Sequence, residues 1–137
     1  GVLPFVDQNE IYIAHYNQGG TLLWVKAITA MGSQGVAAIA ADSSGLVISG
    51  GYNKGFTLGS TVLAEPGTPS TGAFVAKIDI DGNILWVHPM GASPAVALDT
   101  PHLTVMAGGF ANSVDFGGGA IQATASTSDI FVGKLGK

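Results

Sequence analysis

Two carboxylates, a glycine and a histidine fall within the stretch from Ile78 to His88, IDIDGNILWVH. Oxygen ligands at alternating positions of a tight loop are what calcium requires, so Asp79 and Asp81 are the candidate metal ligands. An EF-hand loop opening at Asp79 would place its obligatory glycine at position 84 and its bidentate glutamate at position 90, and those residues are Ile84 and Met90. Only a weak site of another kind could be built there. The remaining chemistry-bearing residues are His15, His88 and His102 as ligands or general bases, Trp24 and Trp86 as sugar-stacking platforms, and Asp42 and Asp99 as isolated carboxylates. No H-E-x-x-H, P-loop or G-x-S-x-G motif is present, and Gly117-Gly118-Gly119 is not followed by the helical pattern that phosphate binding needs.

Composition narrows the function classes. Charged residues make up 10% of the 137, against about 25% in an average domain, and glycine numbers 21, about twice the usual share. Both shifts favour a strand-rich chain with many tight turns. Five lysines, no arginine and a net charge of -4 argue against a nucleic-acid partner, because the residue that reads guanine and clamps phosphate is missing. The absence of cysteine excludes disulfides, cysteine-ligated zinc and thiol catalysis. No apolar run approaches the roughly 18 residues that would span a bilayer as a helix. The N-terminal GVLPFVDQNE has neither a charged n-region nor a long apolar h-region, so a signal peptide is expected to lie outside this stretch.

The elements that must position these residues are repeated. Ile11–Tyr16, Ala73–Ile78 and Ile130–Leu135 match one another, as do Leu22–Lys26 and Ile84–His88, with 13 positions from Ile11 to Trp24 and again from Ala73 to Trp86. A second pair, AIAADSSGLVISGGY and AVALDTPHLTVMAGGF, is anchored on Asp42 and Asp99 and ends at Gly50-Gly51-Tyr52 and Gly108-Gly109-Phe110; 31 positions separate each Asp from the next copy of the first segment. A fixed period of tens of residues marks a repeat architecture. Each segment has strand composition, with turn residues between. Hairpin one is expected over 36–42 and 46–52, and hairpin two over 73–79 and 84–88. Leu22-Leu23-Trp24-Val25 is apolar on both faces, which predicts a covering sheet on each side. The connections 53–72 and 111–129 share Phe56-Thr57-Leu58-Gly59 and Val114-Asp115-Phe116-Gly117, so they are expected to be ordered.

Four-stranded antiparallel units in series predict the blades of a β-propeller; a β-sandwich accounts for the strands but not for the fixed offsets. The motifs Ala73-Phe74-Val75-Ala76-Lys77, Asp79-x-x-Gly82-Asn83-x-Leu85-Trp86, Ile39-Ala40-x-Asp42-Ser43-Ser44-Gly45-x-Val47, Gly50-Gly51-Tyr52 and Phe116-Gly117 resemble the bacterial SBBP-type β-propeller repeat over residues 9 to 135. That resemblance implies a secreted or cell-surface protein and no enzyme activity. Thr100-Pro101-His102 departs from the Ser-Ser-Gly pattern, so that turn is expected to differ.

The repeat also reinterprets the chemistry. Asn17-Gln18-Gly19-Gly20-Thr21 occupies the place of Asp79-Ile80-Asp81-Gly82-Asn83 without a carboxylate, so the second stretch is expected to be a hairpin turn, its glycine supplying positive φ. His15 stands where Lys77 and Lys134 stand and His88 where Lys26 stands, positions expected at solvated strand edges. Trp24 and Trp86 are expected to pack between units, and Asp42, Asp99, Gly51 and Gly109 to be structural repeat positions. The whole is expected to be an all-β propeller segment over 1–137: a partial unit at about 11–35, a full blade at 36–89 and an incomplete one at 94–135. The function expected is a non-catalytic scaffold, adhesion or protein-interaction module without cofactors. Its partners would be other blades or identical chains, with a protein or glycan ligand; the alternative is a carbohydrate-binding propeller.

Overall fold

A computed structural model describes residues 9–67, 71–91, 94–99, 103–116, 118–124 and 128–135. Thirteen strands follow in order: β1 (Ile11–Tyr16), β2 (Leu22–Ile28), β3 (Gln34–Asp42), β4 (Gly45–Tyr52), β5 (Phe56–Leu58), β6 (Thr61–Leu63), β7 (Gly72–Asp79), β8 (Ile84–Met90), β9 (Ala95–Asp99), β10 (Leu103–Ala111), β11 (Ser113–Asp115), β12 (Ala120–Gln122) and β13 (Ser128–Leu135). Among the described residues there is no helix, and the chain is all-β with antiparallel sheets.

The two expected hairpins join into one four-stranded sheet ordered β3-β4-β7-β8, preceded by the β1-β2 hairpin and followed by a three-stranded sheet ordered β13-β10-β9. Register repeats with the sequence. Gly50 pairs with Phe74 as Gly108 pairs with Phe131, and Ile48 with Ala76 as Met106 with Gly133. His15 pairs with Trp24 and Lys77 with Trp86, and a bulge follows at the same point in both hairpins, between His15 and Tyr16 and between Lys77 and Ile78. Asp42 pairs with Gly45 and Asp99 with Leu103; the turn between the latter two, Thr100-Pro101-His102, which was expected to differ, lies outside the described residues.

Successive side chains of a strand point to opposite faces, and in β7 both faces are covered: Ala73 through Ile78 are all buried. Phe74, Ala76 and Ile78 face a core shared with Ile11, Ile13 and Ile28 of the β1-β2 hairpin, while Ala73 and Val75 face a second core shared with Met106, Phe110 and Phe131. The three sheets therefore stack through two apolar layers. Among the described residues each connection forms a short hairpin, β5-β6 and β11-β12. Each hairpin delivers an aromatic ring to the core, from different positions. Phe56 packs on Phe74 at 6.1 Å between centroids, with Leu58 buried beside it; in the other copy Val114 is buried and Phe116 packs on Phe131 at 4.8 Å.

The both-faces expectation fails for the strand that suggested it. Leu22, Leu23 and Val25 of β2 are exposed, because β1-β2 is the outermost sheet described and its outward face has no neighbour there.

Candidate functional site

The turn that held the metal candidates lies at the seam between the first two sheets. Asp79 accepts at Oδ1 from the backbone N–H groups of Asp81 (2.9 Å) and Asn83 (2.7 Å), and at Oδ2 from Asn83 Nδ2 (2.9 Å). The backbone closes the same way in both copies: Gly20 N–H donates to Asn17 O and Gly82 N–H to Asp79 O, each at 3.0 Å, with φ of 77° at Gly20 and 82° at Gly82. Asp79 is thus a turn-closing acceptor. Bonds from the Asn83 side chain, then from the Asn83 and Asp81 backbone, together with the charge of Lys26, hold its carboxyl below the ordinary aspartate value. Asp81 is exposed, and among the described residues no three histidine, aspartate or glutamate side chains converge as a metal site.

What meets this turn comes from the neighbouring sheet. Trp24 of β2 donates from Nε1 to the Ile80 carbonyl oxygen at 2.9 Å, and Lys26, two residues on and on the same face, donates from Nζ to the Gly82 carbonyl oxygen at 2.7 Å. The Lys26 ammonium stands 5.8 Å from the Trp24 ring centroid. A hairpin tip leaves backbone carbonyls that its own ladder cannot satisfy, and this pair satisfies two of them from 56 residues upstream. The sequence signal was present in the Trp-x-Lys spacing, but the acceptors were not legible from it.

A groove of about 170 Å³ opens beside the seam, bordered by His15, Trp24, Ile39, Asp42, Asp79 and Ile80. It gathers four of the singled-out residues, His15, Trp24, Asp42 and Asp79. Their polar atoms are largely engaged: Asp42 Oδ1 accepts from the Ser44 N–H (2.7 Å) and hydroxyl (2.6 Å), and the Ser44 hydroxyl accepts in turn from Lys77 Nζ at 3.2 Å. The second copy makes the link directly, Lys134 Nζ to Asp99 Oδ2 at 2.7 Å. The repeat lysine thus reaches the repeat aspartate in both copies, once through a serine.

Lys77 corrects the expectation that the lysine-equivalent positions are solvated edges, for it is only 5% exposed. The reason is topological: β7 is a central strand flanked by β4 and β8. His15, its counterpart, is half-buried with its ring 5.5 Å from Trp24 in edge-on contact, and its Nδ1 is enclosed with no hydrogen-bond partner among the described residues. His88 packs against Trp86 with ring centroids 5.1 Å apart and planes tilted by 49°. His102 lies outside the described residues.

Both tryptophans are half-buried and pack against the apolar layers, Trp24 on the first and Trp86 on the second. With its N–H committed to Ile80 and its ring edge against His15, Trp24 is an inter-sheet contact and a poor sugar platform. Gly51 is half-buried and pairs with Gly35 and Ala73, and Gly109 is exposed opposite Ile130. Their predecessors carry the tighter constraint. A Cβ on Gly50 would run into the Gly35 carbonyl and the Phe74 ring, and one on Gly108 would lie 3.1 Å from the Phe131 ring. Aromatic rings seated on glycine are the repeated feature that the sequence reading missed, although the cross-strand register would have exposed it. No protein-family model and no curated protein sequence matches the chain.

Proposed function

We propose that the chain is a segment of a β-propeller of the SBBP-type repeat, with each four-stranded sheet a blade, acting as a non-catalytic scaffold or protein-interaction module in a secreted or surface-displayed protein. The burial contrast between repeat-equivalent faces carries the proposal. Ala73 and Val75 on the middle sheet are 3% and 0% exposed, while their counterparts on the last sheet, Ile130 and Val132, are 86% and 77% exposed. On the first sheet Tyr12 and Val25 are exposed where Phe74 and Val87 are buried. Faces of this kind are built to be covered by further sheets of the same repeat, from adjoining sequence or from identical chains.

The polar groups of the seam support a structural role, since they satisfy one another across sheets. The test is light scattering of the isolated 137-residue chain over a concentration series, together with binding of the apolar dye ANS. With its outer faces uncovered, the chain is expected to self-associate or to bind the dye. A stable, monodisperse monomer that binds no dye overturns the proposal.

A further inference from the structure

We infer that the groove between β13 and the β11-β12 hairpin is a strand-acceptor site, taking an extended strand of the Leu-Trp-Val pattern carried by β2 and β8. β7 is paired on both edges, by β4 on one and β8 on the other; β13, its counterpart, is paired by β10 on one edge and carries no strand on the other among the described residues. An edge of eight extended residues presents a row of backbone donors and acceptors to any complementary strand.

The space beside that edge has the right shape. In the middle sheet, β8 lies between β7 and the β5-β6 hairpin, with the Ile84 side chain against Gly59. In the last sheet the same location is a groove of about 620 Å³, walled by Phe131, Gly133 and Leu135 on one side and by Phe116, Ile121 and Gln122 on the other. Asp129 closes one end, its Oδ2 accepting from the Thr124 N–H and hydroxyl.

The register that β7 and β1 impose on their partners specifies the occupant. Trp86 sits opposite Lys77, Val87 opposite Ala76 and Ile84 opposite Ile78, with the bulge between. Carried over to β13, an indole falls opposite Lys134, a valine opposite Gly133, where it meets the Met106 side chain that lies over the glycine, and an isoleucine opposite Leu135. Backbone pairing supplies affinity in such a mode, and alternate side chains supply selectivity. The inference rests on the register and the groove alone, so it stands or falls separately from the scaffold role.

The experiment uses the full 137-residue chain and a fluorescein-labelled synthetic peptide of residues 83–90, with binding read by anisotropy. Saturable one-to-one binding in about the micromolar range is expected. N-methylating alternate peptide amides along one edge is expected to weaken binding about tenfold or more, and along the opposite edge to leave it unchanged, because only one edge enters the ladder. Replacing the peptide's Trp86 with alanine is expected to weaken binding as well. Lack of saturation at about millimolar peptide, or equal effects of the two methylation patterns, overturns the inference. Since every variant is in the peptide, the folding of the protein is never at issue.

Discussion

The indole N–H of Trp24 donates to the carbonyl oxygen of Ile80, joining a strand of one sheet to the hairpin tip of the next at 2.9 Å. With Lys26 on Gly82 it forms a two-point grip that sets how adjacent sheets meet. Because the ring also packs on the first apolar layer, two effects can be separated. Trp24→Ala is expected to cost about 2–4 kcal/mol, somewhat less than a fully buried tryptophan. Trp24→Phe keeps most of the packing and loses the donor, and is expected to cost about 1–2 kcal/mol. Urea denaturation checks both, and a Trp24→Phe variant as stable as the parent would show that the hydrogen bond contributes nothing.

Gly50 and Gly109 make a contrasting pair. Gly50→Ala drives a methyl into the Gly35 carbonyl and the Phe74 ring, an overpacking expected to cost about 2–3 kcal/mol. At Gly109 the nearest atom to an added Cβ is the Asp129 carbonyl oxygen at 3.7 Å, an ordinary contact, so Gly109→Ala is expected to change stability by less than about 1 kcal/mol. Thermal melts of the two variants provide the comparison.

The depressed value of Asp79 gives a signed pH dependence. Its folded-state carboxyl titrates below its unfolded counterpart, so the stabilisation is present above the unfolded aspartate value and is lost as pH falls through the folded one. Asn17 performs the same turn closure in the first copy, accepting from the Thr21 N–H at 2.9 Å. Asp79→Asn is therefore expected to retain the fold and lose this part of the acid sensitivity. Stability measured from pH 7 down into the acid range for both proteins decides it; unchanged acid sensitivity in the variant refutes the assignment.

Calcium should find no purchase on this turn. Asp79 is committed to three donors, and the first copy builds the turn with no carboxylate. Calorimetric titration of the protein and of Asp81→Asn is expected to give the same absence of binding heat. Saturable heat lost in the variant would restore Asp81 as a ligand.

The strand segments, the four-strand order of the middle sheet and the turn role of Asp79 were legible in the sequence. Each follows from local composition or from comparison of one copy with the other: Gly20 and Gly82 take positive φ because the hairpin tip demands it, whatever surrounds it. Which sheet covers which face was not legible. Leu22-Leu23-Trp24-Val25 and Ala73-Phe74-Val75-Ala76 are similarly apolar, yet only the second is sandwiched.

Tertiary structure alone decided the partners across sheets. It placed Ile80 and Gly82 under Trp24 and Lys26, buried Lys77 against Ser44, and put the close approach at Gly50 rather than Gly51. The physical reason is that the alternation of a strand determines that two faces exist, while the acceptors and rings that meet those faces arrive from residues tens of positions away, through stacking that no single repeat encodes.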